Sequence, residues 1–131
     1  LQAFLEIRQI EKAKWAADNR NKNHLRYAKN LEGYVEFQNW DNNFPVSISF
    51  GALAENNVHR KEIVQRLVSE GIETRIFSAG NLGLHPFWVD LYGPFNDKVS
   101  NEIHSSGFFL PNYPELTGEE IDFISDVVVG K

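Results

Sequence analysis

A one-sided apolar stripe at the start of the chain sets the first constraint on the fold. Leu1, Phe4, Ile7 and Ile10, with Leu5 beside them, recur at helical spacing. Trp15, Ala16 and Ala17 extend that face, and Leu25, Ala28 and Leu31 resume it after the polar patch from Asp18 to His24. The pattern predicts one long helix or two joined ones, with Gly33 as the stop. A helix with such a stripe needs another layer over it, so the rest of the chain must supply that layer.

The rest alternates between short strand-like and helix-like runs. Tyr34 to Trp40 alternates weakly as a short strand, and Asp41-Asn42-Asn43 signals a turn. Val46, Ile48 and Phe50 alternate with Ser47 and Ser49 as a half-buried strand. Asn56-Asn57 can cap a helix whose buried face is Ile63, Val64, Leu67 and Val68, with Gly71 at its end. Ile72, Thr74 and Ile76 read as the next strand, residues 78–95 as a long Gly/Pro loop, Asn96 to Ser106 as a helix, and Gly107 to Pro111 as a strand. Thr117-Gly118-Glu119-Glu120 is a capping box, with Leu116 and Ile121 placed as a hydrophobic staple and Ile121, Ile124, Val127 and Val128 facing the core. The expected class is α+β: a small sheet of about three strands with helices packed mainly on one face.

Composition narrows the function classes. The 131 residues suit a single domain, and a 42% hydrophobic fraction supplies a core at that length. The absence of Cys removes disulfides, thiolate metal sites and thiol nucleophiles, and fits a reducing, cytoplasmic setting. No apolar run approaches the ~20 residues that span a bilayer, so no membrane partner is expected. Residues 1–33 hold seven Lys/Arg against four Asp/Glu, whereas residues 34–131 hold six against fourteen. The basic part falls on an amphipathic helix with few aromatics, which reads as a solvated or partner-facing helix and not as a nucleic-acid grip. The chain has no Met and opens at Leu1 within a helical pattern, as expected of a fragment.

Binding chemistry concentrates in the loop Gly80-Asn81-Leu82-Gly83-Leu84-His85-Pro86-Phe87-Trp88. Irregular polar backbone of this kind lies at the surface and commonly carries function. His85 can hydrogen-bond a polar ligand beside an aromatic wall, or pack the loop. Asn81 offers an acceptor and a donor suited to hydroxyl-rich ligands, or serves as a turn residue. Phe87 and Trp88 can stack on a ring face or plug the core. Arg75 can pair with phosphate or carboxylate, or form a surface ion pair with Glu73. His59 is expected to face solvent at a helix start, and His104 to favour a helix C-terminus. The four His form no zinc-type pair, and no nucleotide-loop or nucleophile-elbow motif is present, so neither a metal site nor a catalytic set is expected.

Taken in order, several segments resemble the C-terminal part of the DegT/DnrJ/EryC1 family of pyridoxal-phosphate enzymes, which act on nucleotide-linked keto-sugars. Leu1-Gln2-Ala3-Phe4-Leu5 followed by Gln9-Ile10 is similar to the helix after the family's active-site region, and Asn19-Arg20-Asn21 with Leu25 to its continuation. Arg60 to Phe77 resembles the small-domain helix and strand, Gly80 to Trp88 the substrate-side loop, and Ile103 to Ile121 the final strand, turn and last helix. The resemblance covers essentially the whole chain.

It implies the C-terminal small domain of an aspartate-aminotransferase fold. Residues 1–33 would link to a large domain outside this chain, and residues 34–131 would form the α+β core. It implies pyridoxal 5'-phosphate in the parent enzyme, with the Schiff-base Lys and the partner of the pyridine nitrogen upstream. Lys12, Lys14 and Lys61 read as exposed helix charges, so no cofactor is expected on this chain alone. The implied substrate is a nucleotide-sugar, with Asn81, His85 and Phe87 facing it, Arg75 and Ser78 flanking it, and the domain closing the cleft. A homodimer is implied. The reaction is aminotransfer or, in a related branch, sugar 3-dehydration. A free-standing, non-enzymatic α+β ligand-binding module is the reading without the resemblance.

Overall fold

The computed structural model describes residues 2–38 and 43–131, and side chains from Ile7 onward. The turn at Asp41-Asn42, the end of the expected first strand at Trp40, and the stripe positions Leu1, Phe4 and Leu5 therefore lie outside the described residues or side chains. The elements run α1 (Gln2–Asn30), β1 (Glu36–Phe37), β2 (Ser49–Leu53), α2 (Asn57–Ser69), β3 (Arg75–Ile76), a 3-10 turn (Leu82–Leu84), α3 (Pro86–Tyr92), α4 (Lys98–Ser106), β4 (Gly107–Pro111) and α5 (Gly118–Val129).

The sheet is four-stranded and antiparallel, in the order β1-β2-β4-β3. Its edge strand β1 comes from the weakly alternating Tyr34–Trp40 run, two residues of which pair with β2, Glu36 opposite Leu53 and Phe37 opposite Ala52. Pairing of β2 with β4 starts at Ser49 opposite Pro111. Residues 46–48 therefore have no sheet partner, and Val46 and Ile48 are exposed instead of alternating into a core. Likewise only Arg75 and Ile76 of the expected Ile72–Ile76 strand join the sheet.

Strand alternation puts Phe50, Ala52, Phe108 and Leu110 on one face, and all four are buried. That face meets Tyr27 and Leu31 of α1, Ile63 and Leu67 of α2, and Ile121, Ile124, Val127 and Val128 of α5 in one core. Truncating Phe50 or Phe108 to Ala would cost about 3–5 kcal/mol by the usual cavity arithmetic. The α5 start behaves as its sequence requires: Thr117 accepts from the Glu120 N–H, and the Glu120 carboxylate accepts from the Thr117 N–H at 2.8 Å. Val68, expected in the α2 core face, is exposed.

The first constraint is met by half. α1 is a single helix, and its C-terminal part is seated by Tyr27 and Leu31, by Asn23 donating to the Tyr113 carbonyl, and by Arg26 and Asn30 bonding Asp122. Its earlier stripe residues Ile7, Ile10 and Trp15 are exposed, as is Leu25. Among the described residues no helix is long and apolar enough to cross a membrane.

Candidate functional site

The segment 78–95 is more ordered in its hydrogen bonding than its Gly/Pro content suggests. It holds the 3-10 turn and α3 where the sequence reading expected loop throughout. The reason is Pro86: at the first position of a helix its missing N–H is no loss and its φ is preset for the helix. Gly93, at φ +78°, ends α3 where a side chain would be strained.

Asn81 organises this segment. It is 5% exposed and its amide is fully engaged. Its Oδ1 accepts from the Gly83 N–H at 2.9 Å, and its Nδ2 donates to Asn101 Oδ1 at 2.7 Å and to the Phe95 carbonyl at 3.4 Å. The Phe95 N–H closes the base by donating to the Gly83 carbonyl at 3.2 Å. Of its two sequence readings, Asn81 follows the turn residue in this geometry.

His85 donates from Nε2 to the Ala79 carbonyl at 2.7 Å. A carbonyl only accepts, so Nε2 carries the proton and Nδ1 is the acceptor of that ring. Phe87 lies edge-on to His85, with ring centroids 6.0 Å apart, and its own ring is 56% exposed. Trp88 packs on Tyr92 at 4.8 Å. α3 has no buried residue, its Leu91 and Tyr92 included, and Leu82, Leu84 and Phe95 flanking it are also exposed. Ser78 is exposed at φ +35°, in the left-handed region.

Arg75 takes its surface-pair reading. Its guanidinium meets Glu73 Oε1 at 2.7 and 3.1 Å, both side chains being about three-quarters exposed. It lines a cleft of about 640 Å³ with Ile48, Thr74, Phe109, Asn112 and Phe123. Asn81, His85 and Phe87 are not part of that lining, so the five expected site residues fall into two groups: Arg75 on the cleft, and Ser78, Asn81, His85 and Phe87 on the loop.

Three features were not anticipated. The His104 ring lies under the loop, with Nδ1 accepting from the Asn81 N–H at 3.1 Å. Phe77 lies over the open face of the sheet, 4.3 Å from the Phe109 ring, where a Cβ on Gly51 would come within 2.8 Å of it and one on Gly107 within 2.1 Å. That ring walls a second cleft of about 550 Å³ running along Ser49, Gly51, Leu53 and Glu36. His59, expected to face solvent, is half-buried, with Nε2 3.2 Å from the Tyr34 hydroxyl and its ring edge-on to that Tyr. The only sequence signals were the two glycines on the solvent-side register of β2 and β4, and Gly80 before Asn81.

Two carboxylates mark the electrostatics of the frame. Asp97 caps α4 by accepting from the Ser100 N–H at 2.8 Å, which holds its carboxyl below the usual range. Asp122 accepts from Arg26 and then Asn30, which pull its carboxyl down to about 2. Burial beside Phe50 lowers His24 from its ordinary value.

A lipopolysaccharide biosynthesis protein of Salmonella typhimurium, RfbH, is 25% identical over 137 residues, spanning 95% of this chain and 30% of that protein. Among solved structures, a DegT DnrJ EryC1 StrS aminotransferase from Brucella abortus superposes with a TM-score of 0.81 at 23% identity, over 95% of this chain and 33% of its own. Helicobacter pylori PseC, an aminotransferase of pseudoaminic acid biosynthesis, gives 0.83 at 16% identity over 95% and 34%. The E. coli GDP-4-keto-6-deoxy-D-mannose-3-dehydratase with bound hydrated PLP gives 0.80 at 22% over 93% and 33%. The chain thus spans about a third of the length of these relatives. The model of the DegT/DnrJ/EryC1/StrS aminotransferase family matches residues 1–129, and the chain belongs to that family.

Proposed function

We propose that this chain is the C-terminal small domain of a pyridoxal-phosphate enzyme acting on nucleotide-linked keto-sugars, and that it closes the substrate side of the cleft. The family match over residues 1–129 carries this reading. The domain core is built from residues 34–131 with Tyr27 and Leu31 of α1 packed into it, and the earlier, uncovered part of α1 leads to the large domain. Aminotransfer is the working reaction, and sugar 3-dehydration is the second, since an aminotransferase and a 3-dehydratase share this fold.

We place no pyridoxal-phosphate site on this chain's own residues. All seven lysines are exposed, and none is shielded as an imine-forming amine would be. No step of the chemistry is assigned to them. What these residues can do is bind and orient. The exposed Phe87 ring offers a stacking face, His85 Nδ1 an acceptor for a sugar hydroxyl, and Ser78 an exposed hydroxyl on the same segment. The Arg75–Glu73 pair is exposed and worth ~0–1 kcal/mol, so a phosphate oxygen pair can displace Glu73 from the guanidinium at little cost. Asn81 acts through loop shape. Contacts of this kind away from the reacting carbon orient the sugar. We also place the parent as a homodimer, the uncovered apolar residues Ile7, Ile10 and Trp15 being available for packing against further polypeptide.

In the family-length enzyme carrying this segment, Arg75→Ala and Phe87→Ala should raise KM for the nucleotide-sugar more than they lower kcat. A fall in kcat with KM unchanged would remove the loop from substrate binding. Adding pyridoxal phosphate to the 131-residue chain should give no aldimine absorbance that borohydride fixes at a single lysine.

A further inference from the structure

The loop that carries Ser78, His85 and Phe87 is held from outside its own sequence. The last turn of α4 carries His104, whose Nδ1 takes the Asn81 backbone N–H at 3.1 Å. One turn earlier, Asn101 Oδ1 takes the Asn81 side-chain amide at 2.7 Å, and Asn101 Nδ2 donates to Asn96 Oδ1 at 2.6 Å. The last turn of α4 is itself tied to α2. Arg60 donates to the His104 carbonyl at 3.0 Å, and Asn57 Nδ2 to the Ser105 carbonyl at 2.8 Å. The ring therefore projects from an anchored turn.

The fit leaves no slack on the loop side. Gly80 adopts φ +63°, and a Cβ there would lie 2.1 Å from His104 Nδ1. A Cβ on Gly83 would lie 2.4 Å from that of Phe95. Two glycines thus let the backbone come down onto the imidazole and onto Phe95, as close backbone approach requires. Because the Asn81 N–H donates, Nδ1 must be unprotonated and Nε2 must carry the hydrogen. Leucine would fill the space but offers no acceptor, and the nearly buried Asn81 N–H would lose its partner.

We propose that His104 is a positioning residue: as an Nε2–H imidazole anchored on α2, it accepts the Asn81 N–H and with Asn101 fixes the 80–95 segment, so that His85 and Phe87 meet a ligand in a preset geometry. The purpose assigned to the latch rests on the reading of this loop as substrate-facing. The latch itself is tested without any ligand.

The experiment is NMR on the 15N-labelled 131-residue chain, with His104→Leu and His104→Asn. Wild type should show His104 as the Nε2–H tautomer. In His104→Leu, amide exchange at Asn81 and Gly83 should speed up about tenfold, the loss of one partly buried hydrogen bond, with α5 amides unchanged. Asn presents its Oδ1 where the imidazole presents Nδ1, so His104→Asn should keep exchange within about threefold of wild type. An Nδ1–H tautomer, unchanged exchange in His104→Leu, or a His104→Asn variant as fast as His104→Leu would each overturn the proposal. If His104→Leu unfolds, seen as lost α5 protection, the wild-type tautomer and His104→Asn decide. A latch intact in these data with no nucleotide-sugar binding would count against the substrate reading alone.

Discussion

Arg66 offers the sharpest test of how the helical layer is held. It stands in the last turn of α2 and reaches across to the end of α5. Its Nε donates to the Val127 carbonyl at 3.0 Å, and a terminal nitrogen donates to the Val128 carbonyl at 2.6 Å and to the Tyr34 hydroxyl at 3.3 Å. Carbonyls in the last turn of a helix have no partner within it, and the helix end carries partial negative charge. A cation there satisfies two of them at once. Hydrogen bonds from a charged donor contribute ~1.5–3 kcal/mol each when buried, and this guanidinium is only partly buried, so the low end applies. Arg66→Met keeps most of the aliphatic stem's packing and removes the donors. The expected loss is about 2–3 kcal/mol in urea unfolding, or on the order of 10 °C in Tm for a domain of this size. Arg66→Lys should fall between, since one ammonium cannot reproduce the planar fork. A loss below about 0.5 kcal/mol for Arg66→Met would show that water replaces the guanidinium and that the α2–α5 join rests on apolar packing alone.

On the open face of the sheet, Gly51→Ala should displace the Phe77 ring and cost about 1–2 kcal/mol, while in a Phe77→Leu background the same change should cost distinctly less. Equal costs in urea melts of the two backgrounds would mean that the ring does not rest on Gly51. For Asp122, a folded value of about 2 lies below its ordinary 3.8, so its contribution is complete above pH 4 and is lost as the pH falls through about 2. Wild type should therefore exceed Asp122→Asn in stability at neutral pH, with the gap closing between pH 4 and 2 and narrowing in added salt. A gap that persists at pH 2 would assign the effect to shape and not to charge. For His24, lowered by burial, stability should be full above pH 6.5 and decline as the pH falls below it. Thermal melts of His24→Phe should lack that step, and a step of the same size in both proteins would place it elsewhere.

Where local chemistry decides an element alone, the sequence was sufficient. The capping box at Thr117, the α5 core face and the β4 run are found as read, because each is set by residues within a few positions of one another. Register was not readable. Val46 and Ile48 alternate as well as Phe50 does, but Pro111 ends the partner strand, and that limit lies sixty residues away. The loop reading failed in part because Pro86 opens α3 as readily as it could break a helix. Asn81 and Arg75 each had two open readings, and which one applies depends on His104, Asn101 and Glu73 coming into reach, the first two through the fold. His104 could not be singled out, since a His at a helix end is ordinary and only Gly80, seen against it in space, gives the close approach away.

We propose that the Ser78–Phe87 loop and Arg75 meet a nucleotide-sugar. The most direct measurement is titration of the 15N-labelled chain with a GDP-linked hexose, followed by amide and side-chain shifts. Saturable shifts are expected at Arg75, Ser78, His85 and Phe87, with α5 unmoved, and Arg75→Ala should weaken them. Saturable shifts confined to other residues, or none up to millimolar ligand while the fold stays intact, would contradict it.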